Sequence, residues 1–499
     1  MGFTDPSGDN MTNSDEVIGR INQHFEKDYQ LRHAVRLAEW DQSLHVKAAS
    51  LAARTQSVAT LNALRRDNLV ELMESCDLPA ALRCAATRDQ SCFREVNRYL
   101  RCHLTVPAEL QDRKARATSR AESLWADCRS RNDWESYAPA LSAVVEVIRL
   151  EAQHRAEATG LELYDSLLDI HEQGLRIAQL KPAFEELKVW AIDILANSKP
   201  ASTAAAQRRL LTIDDKEKLF LNISCVFGFD LTRGRIDFGE HPFCAGVPED
   251  TRLILKKDSS ILDGLLEVIH ETGHACYEQN LPTSPRGHPI NLPRSVGVHE
   301  SQSLFFENMI GRHPAFLTYL SRTLSDEHQF PISADELNFY YNQTRLGLIR
   351  IEADEVSYIL HIILRFELEL KLINGEIEVS DLPECWNILS IDYLGLSPGN
   401  DFRRGCMQDI HWSLGLFGYF PCYVLGQVYA AHLFHQFTAT HQDYSSDFCS
   451  GNIRPAFDWL KEHIWSRGSY DEVLSVFMSS EKALDTTFLR RLLENRYKT

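Results

Sequence analysis

The sequence predicts a mostly α-helical protein built as one large body, and three observations lead to this prediction. Apolar residues recur at three- and four-residue spacings over long stretches such as 17–72 and 107–160, which is the period of an amphipathic helix. A strand pattern is confined to two short segments, 235–238 and 251–256, which predict a small sheet or hairpin. Proline and glycine are nowhere pooled into a linker.

The domain organisation follows from the same distribution. A length of 499 residues would by itself suggest about three domains. The densest group of prolines, at 281–293, falls between two halves of a candidate site, so we expect an ordered loop there. We therefore predict a single domain over residues 15–499, preceded by a flexible polar segment at residues 1–14.

Composition excludes several classes of function. With 52 basic and 70 acidic residues the net charge is −18, so a nucleic-acid partner is not expected. The twelve cysteines form no C-x-x-C pair, which is typical of reduced thiols. The start of the chain has no apolar signal segment, and the uncharged stretch 410–434 contains Pro421 and three glycines. We expect no membrane association and a cytoplasmic location.

A metal motif lies in the middle of the chain. His270-Glu271-Thr272-Gly273-His274 is an H-E-x-x-H sequence. On a helix, residues four apart share a face, so the two imidazoles converge on one ion. Glu271 is then placed to take a proton from a metal-bound water. A chance match is the alternative, with about 0.1 such matches expected for this composition.

A catalytic metal needs a third protein ligand and an open position. Glu300 follows 26 residues after His274, which leaves room for a loop and a returning helix. Glu307 lies seven residues further on and shares its helix face, so one carboxylate could bind the metal while the other orients a ligand. Gly273 would let another backbone approach. The alternative for Glu300 is a solvated carboxylate at a helix start.

These residues belong to a longer pattern. The segments HETGHACYEQ, starting at His270, and HESQS, starting at His299, resemble the carboxypeptidase Taq family of metallocarboxypeptidases. The resemblance continues in family order through WDQ (40–42), YDSLLDIHEQG (164–174), HPF (241–243), IRIEAD (349–354), GCMQDIHW (405–412), GYFPCY (418–423) and the C-terminal 488–497.

The resemblance implies a fold, an activity and a ligand set. It implies a helical protein with a deep active-site groove, a homodimer, and release of C-terminal amino acids from peptides with broad specificity. It places the metal on His270, His274 and Glu300, with Glu271 as the catalytic base. One divalent ion is expected, zinc by preference, with cobalt as a possible substitute.

Other family motifs supply candidate substrate-binding residues. Arginine binds a terminal carboxylate by bidentate hydrogen bonds, and Arg350 and Arg252 are the candidates. A structural ion pair is the alternative for each. His241 is a candidate for lining the groove, and its alternative role is to brace the loop after the sheet. Asp409 is expected to orient His411 or a substrate group.

The oxyanion formed during hydrolysis needs a hydrogen-bond donor beside the metal. His411 and Tyr423 resemble the donors of this group of peptidases, and Tyr419 is the competing tyrosine. A hydrogen-bonded core histidine and a packed aromatic are the alternatives.

The sequence departs from the family pattern near Arg252. Ile254 replaces a hydroxyl residue of the D-x-R-x-T pattern, and Cys422 stands where a hydroxyl residue is more common. Neither change removes a metal ligand or the base. Two other functions are alternatives: an oligopeptidase that cuts internally with the same metal site, and a catalytically silent scaffold. The scaffold would be expected to lack Glu271 or a ligand, and all are present.

Overall fold

The computed structural model describes residues 7–45, 48–75, 87–198, 213–239, 243–257, 260–477 and 484–497. The predicted fold class is confirmed, because nineteen α-helices and one three-stranded sheet make up the regular structure of these residues, with short 3₁₀ and π segments. Residues 1–6 of the predicted flexible segment lie outside the described residues. The first helix begins at Ser7, so the predicted boundary at residue 15 falls within it.

Three N-terminal helices form one side of the molecule. They are α1 (Ser7–His45), α2 (Ala48–Ser75) and α3 (Thr87–Leu104). Their facing sides enclose a small apolar cluster of their own, separate from the main core, that includes Phe25, Leu72 and Val96. These helices therefore pack as a unit beside the larger body.

The helical pattern at 107–160 corresponds to two helices. Asn132 adopts a left-handed conformation with φ 56° and ends the first helix, and the Asp133 side chain accepts a hydrogen bond from the Ser136 amide at the start of the second. Such a cap satisfies a free amide group of the first turn. The helices of this half are α4 (Ala108–Arg131), α5 (Trp134–Thr159), α6 (Leu163–His171), α7 (Ile177–Asn197) and α8 (Ile213–Val226).

The sheet has the strand order β1-β3-β2, with β1 (Gly234–Gly239) parallel and β2 (Phe243–Val247) antiparallel to the central β3 (Asp250–Lys256). The two predicted strands are β1 and β3. The prediction missed β2, because its sequence Phe-Cys-Ala-Gly-Val places three small residues between the two that favour strands. Pairing with β3, not local preference, makes this segment a strand.

The second half of the chain builds the main core around the sheet. The remaining helices are α9 (Ile261–Gln279), α10 (Val296–Leu304), α11 (Pro314–His328), α12 (Ala334–Tyr341), α13 (Glu355–Asn374), α14 (Leu382–Leu394), α15 (Pro421–Thr440), α16 (Tyr444–Ser450), α17 (Arg454–His463), α18 (Val473–Phe477) and α19 (Thr487–Tyr497). A π-helical segment, Phe305–Gly311, continues α10. Short 3₁₀ turns occur at Pro289–Asn291, Arg350–Glu352, Val379–Asp381 and Trp465–Arg467.

The structure shows the conformation of the proline-rich segment and of the long uncharged stretch. The proline-rich segment 281–293 is an ordered connection from α9 towards α10, and the Ile290 carbonyl accepts a hydrogen bond from the Ser469 amide at 2.7 Å. The uncharged stretch from Ile410 ends in the buried helix α15. Within the described residues, no helix is both long enough and apolar enough to cross a membrane.

Candidate active site

Helix α9 presents the H-E-x-x-H motif to a groove. Ser260 caps the helix by accepting a hydrogen bond from the Asp263 amide. Leu265 and Ile269 are buried on the core side, which fixes the rotation of the helix about its axis. His270 and His274 then lie on the groove side, with ring centroids 4.9 Å apart.

Glycines allow Glu300 to reach these histidines. A Cβ atom on Gly273 would lie 2.6 Å from the backbone of Gln302 and Ser303, and one on Gly426 of α15 would lie 2.5 Å from Cγ of Glu300. Helix α10 therefore fits between α9 and α15 only because both positions lack a side chain. The predicted role of Gly273 in a close backbone approach agrees with this contact.

The three predicted metal ligands converge. Glu300 Oε1 lies 3.9 Å from His270 Nε2, and Glu300 Oε2 lies 3.4 Å from His274 Nε2. One ligand atom from each residue falls within 4.8 Å of the other two. Two imidazole nitrogens and one carboxylate oxygen are a common donor set of catalytic zinc. The donor set present therefore fits a divalent cation.

A carboxylate orients the first histidine. His270 Nδ1 donates to Glu307 Oε2 at 2.9 Å, and Glu307 Oε1 accepts from Arg312 Nη2 at 3.1 Å. A proton held on Nδ1 leaves Nε2 with a lone pair directed at the metal position. Glu307 thus makes the ligand-orienting contact that the seven-residue spacing suggested.

A second histidine orients the other ligand, and sequence reasoning did not assign it. His299 Nε2 donates to Glu278 at 3.0 Å, and its Nδ1 lies 2.7 Å from His274 Nδ1. With one proton on His299 Nε2, its Nδ1 accepts from His274, whose Nε2 is then free for the metal. Glu278 lies four residues after His274 on the same helix face, a spacing that could have revealed it.

The N-terminus of α10 is held by a buried carboxylate. Glu172 accepts hydrogen bonds from the Ser295 hydroxyl, the Gly297 amide and the Tyr429 hydroxyl at 3.0 to 3.1 Å. Burial raises the pKa of Glu172 to about 7 even though these donors oppose the shift. Glu172 belongs to the 164–174 segment but was not singled out, since its partners lie far along the chain.

The ligands sit in a strongly negative environment. Burial lowers the pKa of His270, but Glu300 and Glu307 outweigh it and raise that pKa to about 10. Burial opposes the ionisation of Glu300, yet the adjacent His270 and His274 lower its pKa to about 2. Burial lowers the pKa of His274 to about 4. Carboxylates that favour a proton on His270 favour a divalent cation in the same place.

Glu271 lies beside the ligands and lines the groove. Burial, helped by the nearby Glu300 and Glu267, raises its pKa to about 7, against the opposing effect of His270. A carboxylate with a pKa near the working pH suits general-base catalysis. Glu271 and the three candidate metal ligands thus line the same groove.

Arg350 lies on another part of the groove lining. Its Nε donates to Asp409 Oδ1 at 2.9 Å, and its Nη1 donates to the Tyr358 hydroxyl at 2.9 Å. The other oxygen of Asp409 accepts from Arg365, which is fully buried. Burial opposes ionisation of Asp409, but the two arginines lower its pKa. Asp409 therefore contacts guanidinium groups, and Arg365 is a partner that sequence reasoning missed.

His411 and Tyr423 are adjacent, with His411 Nε2 2.9 Å from the Tyr423 hydroxyl. Burial lowers the pKa of His411 to about 3, so its ring is neutral. Burial raises the pKa of Tyr423 well above its ordinary value, so the hydroxyl keeps its proton. The ring of Tyr419 lies edge-on to that of Tyr423, with centroids 5.5 Å apart, and both tyrosines line the groove.

The remaining predicted residues are placed differently. Arg252 lies in β3, where it forms an ion pair with Asp250 at 3.1 Å and stacks 4.5 Å over the Trp40 ring. These contacts favour the structural alternative for Arg252. His241 lies outside the described residues.

The groove itself has a volume of about 1670 Å³ and follows α9 along its length. That volume exceeds the typical ~300–1,000 Å³ of a small-molecule pocket, so it accommodates several residues of a peptide. Its wall includes β2, the π-helical segment and the loop before α13.

The fold and the site together define a helical metallopeptidase, in which an H-E-x-x-H helix and a downstream glutamate face a long groove. The model for the carboxypeptidase Taq (M32) metallopeptidase family matches residues 20–497, and the chain belongs to this family. It is accordingly a metallocarboxypeptidase.

Individual relatives agree with this assignment. Thermostable carboxypeptidase 1 of Thermus thermophilus is 33% identical over 457 residues, which cover 87% of this chain and 88% of that protein. The structure of Trypanosoma cruzi metallocarboxypeptidase 1 superposes with a TM-score of 0.91 at 31% identity and covers 97% of this chain and 100% of that one. A Pyrococcus furiosus carboxypeptidase structure gives 0.88 at 27% identity, with coverages of 97% and 99%.

Proposed function

We propose that this chain removes amino acids one at a time from the C-termini of peptides, with broad specificity. It would use one divalent ion held by His270, His274 and Glu300, and Glu271 as the general base. The observation that carries the proposal is the convergence of three ligand atoms within 4.8 Å of one another, beside a base and in a groove long enough for a peptide.

Zinc is the proposed metal, and cobalt is a possible substitute. The nitrogen and carboxylate donors, oriented by Glu307 and His299, support this choice. When bound, the ion supplies Lewis-acid polarisation of the scissile carbonyl and of a water molecule.

Glu271 takes a proton from the attacking water and delivers it to the departing amine. Its raised pKa keeps the carboxylate basic enough to accept the proton and acidic enough to return it. Its place on α9, one residue after a metal ligand, fixes its distance from the reacting carbon.

Tyr423 and His411 stabilise the oxyanion. If His411 Nε2 donates to the tyrosine oxygen, the Tyr423 O–H is left to point into the groove as the donor. The neutral state of His411, caused by burial, suits this arrangement. Tyr419 is the alternative donor, and removal of each hydroxyl in turn distinguishes them.

Arg350 binds the terminal carboxylate. A guanidinium has five N–H groups, and three of those on Arg350 are used by Asp409 and Tyr358. One N–H remains on each terminal nitrogen, which matches a bidentate carboxylate. Asp409 holds the guanidinium in place. Arg252 is a weaker candidate, because its guanidinium already pairs with Asp250 and stacks on the Trp40 ring.

We also propose a homodimer located in the cytoplasm. The likeness to the family supports the dimer, and the ten described cysteines, all of which are free thiols, suit a reducing compartment. Light scattering on the purified protein tests the dimer.

An internally cutting oligopeptidase is the alternative, because the metal chemistry is shared. The deciding experiment uses an N-blocked peptide with a free C-terminus and its C-terminally amidated twin. We expect release of single amino acids from the free acid and little reaction with the amide. Equal cleavage of both peptides would contradict the proposal and favour the oligopeptidase.

A further inference from the structure

One end of the groove is lined by arginines that the proposed mechanism does not use. Arg32 and Arg36 come from α1, and Arg98 comes from α3. Arg36 is 47% exposed, while the guanidinium of Arg32 lies 5.8 Å from the centre of the Tyr29 ring. These residues are therefore accessible from the groove, and they come from helices outside the main core.

The charge around these arginines is not balanced by carboxylates. The buried Glu95 is shared by Arg94 at 2.9 Å, Arg294 at 2.9 Å and Arg98 at 3.6 Å. One carboxylate cannot neutralise three guanidinium groups. Among the described residues, Arg98 Nε is buried and has no hydrogen-bond partner.

The acidic residues that face Arg32 and Arg36 are few. Arg36 contacts Glu39 at 3.2 Å, and both arginines lie near Glu278, whose pKa they lower together with His299, although burial opposes the shift. Glu278 is itself engaged by His299. Glu472 lies 3.6 Å from Arg94, and Asp169, which acts on Arg98, is paired with Arg176 at 2.8 Å. Each of these carboxylates is therefore already engaged, while the guanidinium groups of Arg32, Arg36 and Arg98 line the groove.

The arginines and the segment before Arg350 lie towards opposite ends of α9. Arg32 and Arg36 neighbour Glu278 at the C-terminal end of this helix, whereas the Tyr341 hydroxyl donates to the Leu262 carbonyl at its start, at 2.7 Å. The candidate metal ligands of α9 lie between these two ends. A peptide whose terminal carboxylate binds Arg350 would cross the metal position and continue towards Arg32, Arg36 and Arg98. That part of the peptide lies on the N-terminal side of the bond to be cut.

We infer that this end of the groove binds acidic side chains upstream of the scissile bond, so that the enzyme prefers peptides with Asp or Glu a few residues before the C-terminus. The inference rests on the proposed function, because it uses Arg350 to set the direction of the peptide. The guanidinium groups offset the repulsion that a net charge of −18 exerts on acidic substrates. They also discriminate against lysine at the same positions by like-charge repulsion.

The test uses N-acetylated hexapeptides with one common C-terminal dipeptide. The third, fourth and fifth residues from the C-terminus are changed one at a time from Gln to Glu or to Lys, and kcat/KM for release of the last residue is measured. At one or more positions we expect Glu to exceed Gln by about 5-fold, with Lys below Gln by a similar factor, which is the size of a partly exposed charge pair. The preference should shrink with added salt.

Two variants assign the preference to these arginines. Arg36→Glu should reverse the order so that the Lys peptide is favoured over the Glu peptide, and Arg32→Gln should reduce the ratio. The matched control is Arg454→Glu, which changes the same charge at an exposed ion pair on α17 and should leave the ratio as in the parent enzyme.

The outcomes separate the two claims. Equal kcat/KM for all peptides, with the terminal residue still released, would overturn this inference and leave the proposed function standing. A charge preference unaffected by Arg36→Glu and Arg32→Gln would also overturn it. Failure to release the terminal residue from every peptide would overturn the proposed function and this inference with it.

Discussion

Two walls of the groove are built on different principles. The metal-binding wall consists of His270, His274 and Glu300 with their orienting partners, and the contact between His270 and Glu307 joins residues that are 37 positions apart. The arginine wall consists of Arg350, Tyr358 and Tyr423, which line the groove, with Asp409 and the buried Arg365 behind them. Arg350 and Asp409 are 59 residues apart. The first wall is carried by two crossing helices. The second is assembled from a 3₁₀ turn, two helices and an irregular loop.

The charges of the two walls also differ. On the metal-binding wall, carboxylates outnumber the groups that neutralise them, which leaves the site ready for a cation. On the arginine wall, one carboxylate serves two guanidinium groups, which leaves it ready for an anion. Under the proposed function, a substrate carboxylate and a metal ion would bind to separate surfaces of the groove.

The largest expected effect tests the chemistry of the metal-binding wall. Glu271→Gln should lower kcat by on the order of 10³ or more while metal content is retained, because the amide cannot accept the proton. Turnover and metal stoichiometry are measured together. Glu267→Gln, one turn earlier on the same helix, is the matched control and should stay within about tenfold of the parent. Near-normal turnover of Glu271→Gln would refute the assigned base.

The second largest expected effect tests whether Arg350, on the arginine wall, binds the terminal carboxylate of the peptide. Arg350→Ala should lower kcat/KM for free-acid peptides by about 100-fold, mainly through KM, because a bidentate charged contact is lost. Amidated peptides should change far less. Arg252→Ala serves as the control and should show no such difference. Equal losses on both peptide types would mean that Arg350 does not clamp the carboxylate.

A third prediction compares the metal affinity of one variant from each wall. Glu307→Gln should weaken metal binding by about 10- to 100-fold, since it removes the negative charge that orients and polarises His270. Asp409→Asn on the arginine wall should leave metal affinity unchanged and raise KM instead. Chelator competition measures the first quantity and steady-state kinetics the second. If Asp409→Asn weakened metal binding as much, the two walls would not be independent.

The smallest effect concerns a single hydrogen bond. Tyr358→Phe removes the hydroxyl that accepts from Arg350 at 2.9 Å and keeps the ring in place. We expect KM for free-acid peptides to rise about 5-fold with kcat little changed, in line with the loss of one hydrogen bond to a charged group. A large fall in kcat would instead give Tyr358 a role in the transition state.

Local spacing explains how much of the metal-binding wall could be predicted. His270 and His274 are one helical turn apart, and Glu300 and Glu307 are two turns apart, so the helix period alone indicates shared faces. His299 escaped assignment because its role depends on where α10 crosses α9, a contact set by Gly273 and Gly426. Glu172 escaped it because its partners Ser295 and Tyr429 are more than 120 residues away.

The arginine wall shows the opposite case. The sequence offered Arg350 and Arg252 as candidates for the same role, with a departure from the family pattern beside Arg252, and the packing separates them further. Arg252 lies in a strand whose neighbours, Asp250 and Trp40, occupy its guanidinium, whereas Arg350 faces the groove. The pairing of Asp409 with Arg365 was likewise invisible, since no periodicity links an irregular loop to the middle of α13.

The sequence by itself determined the helical fold class and indicated the candidate metal ligands and the candidate base, because each depends on a short-range helical repeat and on residue chemistry. The tertiary structure decided the orienting residues His299, Glu278 and Glu172, the third strand β2 and the basic end of the groove. These depend on contacts between segments far apart in the chain, where the free energy of packing and charge pairing, and not local preference, selects the neighbours.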